Sequence, residues 1–208
     1  MCNPIPIVRS GWILRHALRE PEITSVTDLT DKELTQLWKI IDWKRVKDVV
    51  NNLQSRIASA AKNGNWKTVN KLSRLLNRSY YAKLLSVRKV TTNKGKRTPG
   101  IDGIIWSSSA EKIRSAQQLT NKGYRAKPLT RKYIRKKNGK LRPLNIPTMY
   151  DRAMQTLHSL VLGPIESATG DKTSFGFKPY RSTKRCLRLP PHLFKQENCS
   201  WMDCRRWY

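Results

Sequence analysis

Seven cations fall within twelve residues at Arg131, Lys132, Arg135, Lys136, Lys137, Lys140 and Arg142, on either side of Asn138-Gly139 and with no carboxylate among them. Guanidinium and ammonium groups at that density do one kind of chemistry well, which is charge-assisted hydrogen bonding to phosphate oxygens. A second set, Lys94, Lys96 and Arg97, stands in a stretch of Gly, Pro and Asn from Thr91 to Gly103. A third set, Lys67, Lys71, Arg74 and Arg78, recurs at steps of four, three and four and so shares one face of a helix. A lone basic stripe is ordinarily a solvated helix face. Its closeness in sequence to the more basic segment favours RNA contact here.

The whole chain repeats that bias. Its 208 residues hold 42 Lys and Arg against 14 Asp and Glu, a formal net charge of +28. A field of that sign makes nucleic acid the expected partner. Residues 1–80 carry 14 basic and 7 acidic side chains and residues 81–208 carry 28 and 7, so the phosphate backbone is expected along the middle and rear. Apolar residues make up 38%, enough for a modest core. No run of 18 or more apolar residues occurs and the start is no secretory leader, which points away from a membrane and toward the cytoplasm, or an organelle if the gene is organellar. Cys2, Cys186, Cys199 and Cys204 form no disulfide framework. Cys186, His192, Cys199 and Cys204 lack the paired Cys-x-x-Cys spacing of a zinc knuckle, so no metal site is expected.

The elements that position these cations follow from periodicity. Residues 1–41 read as a loosely structured lead-in, with Thr30 to Glu33 capping a short helix over Leu34, Leu37 and Ile41. Val46, Val50, Leu53, Ile57 and Ala61 mark an amphipathic helix from Trp43 to Asn63-Gly64. A second helix is expected from Asn65 through Val69, Leu72, Leu76, Tyr80 and Leu84, antiparallel to the first. Regular structure should stop at the basic loop of residues 91–103, where Asp102 reads as a turn residue between two glycines. Ser107 to Ser109 followed by Glu111 predict a capped helix through about Lys122, closed by Gly123. Leu129 to Lys136 and Lys140 to Ile146 predict a hairpin about Asn138-Gly139. Met149 to Ala168 reads as a helix, kinked or ended early by Pro164, with Asp151-Arg152 as an ion pair or cap at its start. Residues 173–182 read as loop or irregular strand.

Several strings then occur in an order that resembles one family. Gly64-Asn65-Trp66, Ala82 to Thr91 and Gly95 to Gly103 resemble the N-terminal extension of group II intron reverse transcriptases. Asn138 to Thr148, Asp151 to Gln155 and Ser174 to Ser182 resemble that family's first fingers motifs. The resemblance covers residues 43 to 184. It implies an α+β architecture, with a helical N-terminal extension (42–90) packed on an incomplete fingers subdomain (91–184) that carries a basic β-hairpin. It also implies that Lys136 and Arg142 meet the phosphates of an incoming nucleotide. Ile146, Pro147, Phe177, Lys178, Pro179 and Arg181 would lie against the template or its templating base, and the loop of Lys94, Lys96 and Arg97 along the template backbone.

The family's chemistry uses two Mg²⁺ ions held by palm carboxylates, the last motif being Tyr-Ala-Asp-Asp. This sequence contains neither that tetrapeptide nor any Asp-Asp pair. Asp203 lies near where the family places its first catalytic Asp, but Trp201 to Tyr208 is not that motif. No catalytic residue and no cofactor are therefore expected in this chain. From Arg185 the sequence departs from the family, and with suitable synonymous codons another reading frame gives Asp-Ala-Cys-Ala-Tyr-Leu-His-Thr, a family-like continuation. Residues 185–208 are accordingly expected to be an unstructured, out-of-frame tail. The function expected is RNA binding, of a group II intron RNA or a template, by a reverse transcriptase/maturase fragment without polymerisation. The other reading is a stand-alone RNA-binding protein that assists intron RNA folding.

Overall fold

Residues 29–171 and 174 are described in a computed structural model. Their order is α1 (Asp31–Ile40), α2 (Trp43–Lys62), α3 (Trp66–Arg78), α4 (Tyr80–Thr92), a 3₁₀ turn (Lys94–Arg97), α5 (Ser109–Gln118), β1 (Thr130–Arg135), β2 (Leu141–Ile146) and α6 (Met149–Thr169). Helices dominate beside one two-stranded antiparallel sheet, an α+β composition.

The row Val46, Val50, Leu53, Ile57 and Ala61 is the buried face of α2, as its spacing requires. Asp42 caps that helix by accepting the backbone N–H groups of Lys44 and Arg45 at 2.9 and 3.2 Å. Gly64, at a φ of +69°, lets the chain turn straight into α3, whose Val69, Leu72 and Leu76 pack on α2. The single helix expected through Leu84 is broken at Ser79, which is extended (φ −59°, ψ 128°) and ends α3 while starting α4. The period gave no sign of the break, because α4 is buried around much of its girth, at Ala82, Lys83, Leu84, Ser86, Val87, Val90 and Thr91. Helix α4 is the central element, in contact with α2, α3 and α5.

Three further boundaries differ from the sequence reading. The lead-in ending near residue 41 contains a packed helix: Leu34 of α1 is buried with Ala110 and Ile113 of α5, and Trp38 joins this cluster to the main core. Its Thr30–Glu33 capping box forms as expected. Regular structure runs beyond residue 90, through Thr92 and into the 3₁₀ turn. Helix α5 starts at the expected Ser108–Glu111 capping box but ends at Gln118 instead of near Lys122. There the Tyr150 hydroxyl donates to the Gln118 carbonyl at 3.1 Å and accepts the Thr120 N–H at 3.2 Å, taking the place of a further helical turn.

Pro164 neither ends α6 nor goes uncompensated. Proline has no N–H for the carbonyl four residues earlier. That carbonyl, on Leu160, instead accepts the side-chain amide of Gln54 from α2 at 2.7 Å. Ala153, Met154, Leu157 and Val161 of α6 join the same core as Val50, Ile57, Leu76 and Val87, so one core spans residues on both sides of position 90. The readings made for residues 1–28, for most of 172–182 and for the tail 185–208 lie outside the described residues.

Candidate nucleic-acid interface

Strands β1 and β2 pair from Thr130↔Ile146 to Arg135↔Leu141. The turn forms at the expected dipeptide: Gly139 has φ +76° and donates to the Lys136 carbonyl at 3.0 Å, and Lys136 donates to the Lys140 carbonyl at 2.9 Å. Every residue from 131 to 145 is exposed, so the hairpin stands out from the core on its base at Thr130 and Ile146. Strand alternation puts Lys132, Ile134, Arg142, Leu144 and Ile146 on one face, and Lys136, two residues past Ile134, continues it. Arg131, Tyr133 and Arg135 occupy the other face, where the Arg131 guanidinium donates to Asn145 Oδ1 at 3.3 Å. Lys136 and Arg142, selected in sequence as phosphate-binding, thus share a face with Leu144 and Ile146.

Leu144 and Ile146 also line an open groove of about 540 Å³. Its other walls are the end of α4 (Lys89, Val90), the following loop (Asn93, Gly95, Thr98), the β2–α6 corner (Pro147) and one face of α6 (Arg152, Gln155, Thr156, Ser159). Val90, Leu144, Ile146 and Pro147 supply its apolar surface. Asn93, Asn145 and Gln155 supply neutral amides, Lys89 and Arg152 supply positive charge, and none of the described residues in the lining is acidic.

Arg152 holds this arrangement together. Its Nε donates to the Pro147 carbonyl at 3.0 Å, Nη1 to the Gly95 carbonyl at 3.0 Å and Nη2 to the Thr98 carbonyl at 2.8 Å. Burial lowers the pKa of this guanidinium, and the Asp102 carboxylate acts in the opposite direction. The expected Asp151–Arg152 ion pair does not form, because consecutive helical residues point in directions about 100° apart. The capping half of that expectation holds. The Thr148 hydroxyl accepts the Asp151 N–H at 3.1 Å and donates to its carboxylate at 2.7 Å, and the Tyr124 hydroxyl donates to the other carboxylate oxygen at 2.6 Å. Burial alone would raise the Asp151 pKa, but these bonds and backbone bonds from Lys127 and Thr148 outweigh it and hold the pKa below the usual value. Tyr124 is pushed up to about 12, by burial first and then by its bond to Asp151.

The basic loop is seated by two further contacts. A Cβ on Gly100 would lie 2.6 Å from Thr148 Cα and 2.8 Å from its nitrogen, so only glycine allows this approach. Asp102 is the turn residue the sequence suggested: Oδ1 accepts the Ile104 N–H at 3.3 Å, while Oδ2 lies 3.7 Å from Lys127 Nζ. Lys94, Lys96 and Arg97 are exposed between these anchor points.

Ile146 and Pro147 line one groove with Asn93, Gly95 and Thr98 of the basic loop, whereas Lys94, Lys96 and Arg97 are exposed on that loop but are not among the lining residues, and Lys136 and Arg142 lie on the hairpin face of Leu144 and Ile146. Lys67, Lys71, Arg74 and Arg78 are exposed on α3, away from the groove lining, on a helix that packs against α2 and α4. Phe177, Lys178, Pro179 and Arg181 lie outside the described residues. Sequence reasoning placed Asn93 in the template-backbone loop but missed Lys89, Arg152, Gln155 and Ser159 as site residues. Arg152, Gln155 and Ser159 do follow helical spacing opposite the apolar row of α6, which is the signal that marks a polar face.

Residues 38–119, from the end of α1 through the last turn of α5, match the family described as the N-terminal domain of reverse transcriptase. Over 107 residues the chain is 36% identical to the group II intron-encoded protein LtrA of Lactococcus lactis subsp. cremoris, covering 50% of this chain and 18% of that protein. Residues 38–119 are thus a reverse transcriptase N-terminal domain, similar to that part of a group II intron-encoded protein. The same chain is 30% identical over 146 residues to protein YkfC of Escherichia coli (strain K12), covering 67% of it and 38% of YkfC. It is also 31% identical over 129 residues to a 91 kDa protein in the cob intron of Schizosaccharomyces pombe, covering 61% of it and 16% of that protein. The chain thus spans well under half the length of the relatives it matches. No helix among its described residues is long and apolar enough to cross a membrane.

Proposed function

We propose that the chain binds RNA as the helical N-terminal extension and part of the fingers of a group II intron reverse transcriptase/maturase, and that it does not itself polymerise. The observation that carries this reading is the groove: apolar and amide surface beside a loop and a hairpin with exposed cations, with no acidic residue among the described residues that line it. Such a surface attracts a phosphate backbone and offers neutral contacts to bases, positioning RNA without reading an extended sequence. The resemblance assigns Lys136 and Arg142 to triphosphate, and Ile146, Pro147, Phe177, Lys178, Pro179 and Arg181 with the loop cations to template. Lys67, Lys71, Arg74 and Arg78 give α3 a further phosphate-binding face.

The family's two Mg²⁺ ions need carboxylates converging on one point. The groove lining does not fit them, and among the described residues no cluster of three or more His, Cys, Asp or Glu is placed to hold a metal. A phosphate clamp without such carboxylates binds nucleotide and template but does not position ions to ionise a primer hydroxyl. The test pairs RNA binding, measured by fluorescence anisotropy, with extension of a labelled primer on an RNA template in Mg²⁺ or Mn²⁺. Binding without extension is expected. Extension by the purified chain overturns the non-catalytic part of the proposal, and absence of RNA binding overturns all of it.

A further inference from the structure

Arg152 lies in the first turn of α6, on the wall of the groove, and forms no salt bridge among the described residues; its fork is spent on backbone carbonyls. Two of those carbonyls, on Gly95 and Thr98, belong to the loop that carries Lys94, Lys96 and Arg97, and the third, on Pro147, belongs to the corner between β2 and α6. Along the loop the anchored positions alternate with the cationic ones: 94 is exposed, 95 is held, 96 and 97 are exposed, 98 is held. The same guanidinium that draws the backbone inward therefore leaves the three cations facing solvent.

We propose that Arg152 is a positioning residue for nucleic acid, its guanidinium fixing the loop of Lys94, Lys96 and Arg97 to the Pro147 corner so that the three cations meet consecutive phosphates of a strand in the groove. The inference rests on the RNA-binding reading above and assigns Arg152 a part in it that involves no direct phosphate contact.

The geometry explains why arginine is needed. Three carbonyls from two segments are reached by Nε, Nη1 and Nη2 of one planar group, whereas the single ammonium of a lysine is a point charge on a flexible stem and does not reproduce that fork. Glycine at 100 provides the loop's second fixed point, against Thr148, and Arg152 occupies the side of the loop nearer the groove. Loss of the fork frees residues 94–98 to move, and three cations on a mobile segment lose register with the phosphates although their charge is unchanged.

The experiment measures binding of a short single-stranded RNA oligonucleotide by the full chain as a function of salt, for wild type, Arg152→Lys, a variant with Lys94, Lys96 and Arg97 changed to Gln, and the combination. Each phosphate contact contributes about 0.7 to the salt slope on a single strand. Arg152→Lys keeps the net charge, yet it should lower the slope by about 1.5 and weaken binding about tenfold or more at physiological salt. In the variant already lacking the loop cations it should change neither. An unchanged slope, or an effect that persists without the loop cations, overturns the proposal.

Nuclear magnetic resonance of the wild-type chain gives a second readout that needs no variant. Guanidinium signals of Arg152 should stay in place when RNA is added, because carbonyls occupy the fork, while loop amides shift. Guanidinium signals that move as in a direct phosphate contact also overturn it. Failure of wild type to bind RNA at all is a different result, and it falls on the RNA-binding reading itself.

Discussion

Gln54 and Pro164 should behave as a coupled pair although they lie on different helices. Gln54→Leu keeps the volume and removes the side-chain donor that reaches the Leu160 carbonyl of α6 from α2, a bond of 2.7 Å. A buried acceptor left without a partner costs about 1–3 kcal/mol, and because Leu160 is only half-buried the lower part of that range, about 1–2 kcal/mol, applies. For a folded unit of this size the loss corresponds to a fall in Tm of about 3–7 °C. Pro164→Ala restores an N–H in the helix aimed at the same carbonyl. In that background Gln54→Leu should cost about 1 kcal/mol less, since the carbonyl then has a second donor. The assay is urea and thermal unfolding of the four proteins, followed by circular dichroism. Equal costs of Gln54→Leu in both backgrounds, within the roughly 0.3–0.5 kcal/mol seen for independent sites, would refute this account of how α6 passes through a proline.

Asp151→Asn should remove a pH dependence of stability. Because the folded pKa is held below the unfolded one, the wild-type carboxylate stabilises the fold above the unfolded pKa and the contribution is lost as pH falls through the folded value. Wild type should therefore lose its advantage over the variant in acid unfolding below about pH 4, and a difference constant with pH would be inconsistent with that. Leu34→Ala should lower stability by about 2–4 kcal/mol if α1 is part of the fold through Ala110 and Ile113; urea unfolding with a loss under about 0.5 kcal/mol would make α1 an appendage. Ser108→Ala, which breaks the capping box of α5, should cost about 1 kcal/mol in the same assay, and no change would mean that tertiary packing alone fixes this helix start.

Features set by local chemistry were legible in the sequence. The apolar row of α2, the turn at Asn138-Gly139 and the capping box at Ser108 each depend on residues close together in the chain. Features set by packing were not. The break at Ser79 joins two helices of which the second is buried on several sides, so no single apolar stripe changes phase there. The early end of α5 depends on the Tyr150 hydroxyl, 32 residues beyond Gln118. The packing of α1 depends on Ala110 and Ile113 in α5, far along the chain from Leu34. In the candidate interface, the cations of the loop and hairpin were evident from composition. The residue that organises them was paired in sequence with its neighbour Asp151, while in three dimensions it binds carbonyls up to 57 positions away.

The account's central claim is that the cations bordering the groove hold RNA phosphates, and its most direct test is the salt dependence of RNA binding for wild type and for a variant with Lys94, Lys96, Arg97, Lys136 and Arg142 changed to Gln. Wild-type affinity should fall roughly 10³-fold between about 50 and 200 mM salt, the loss expected when at least six phosphates are contacted. The variant should lose about 3–4 of the salt slope while unfolding at a temperature close to that of wild type. A flat wild-type response, or a variant with the wild-type slope, would contradict the claim.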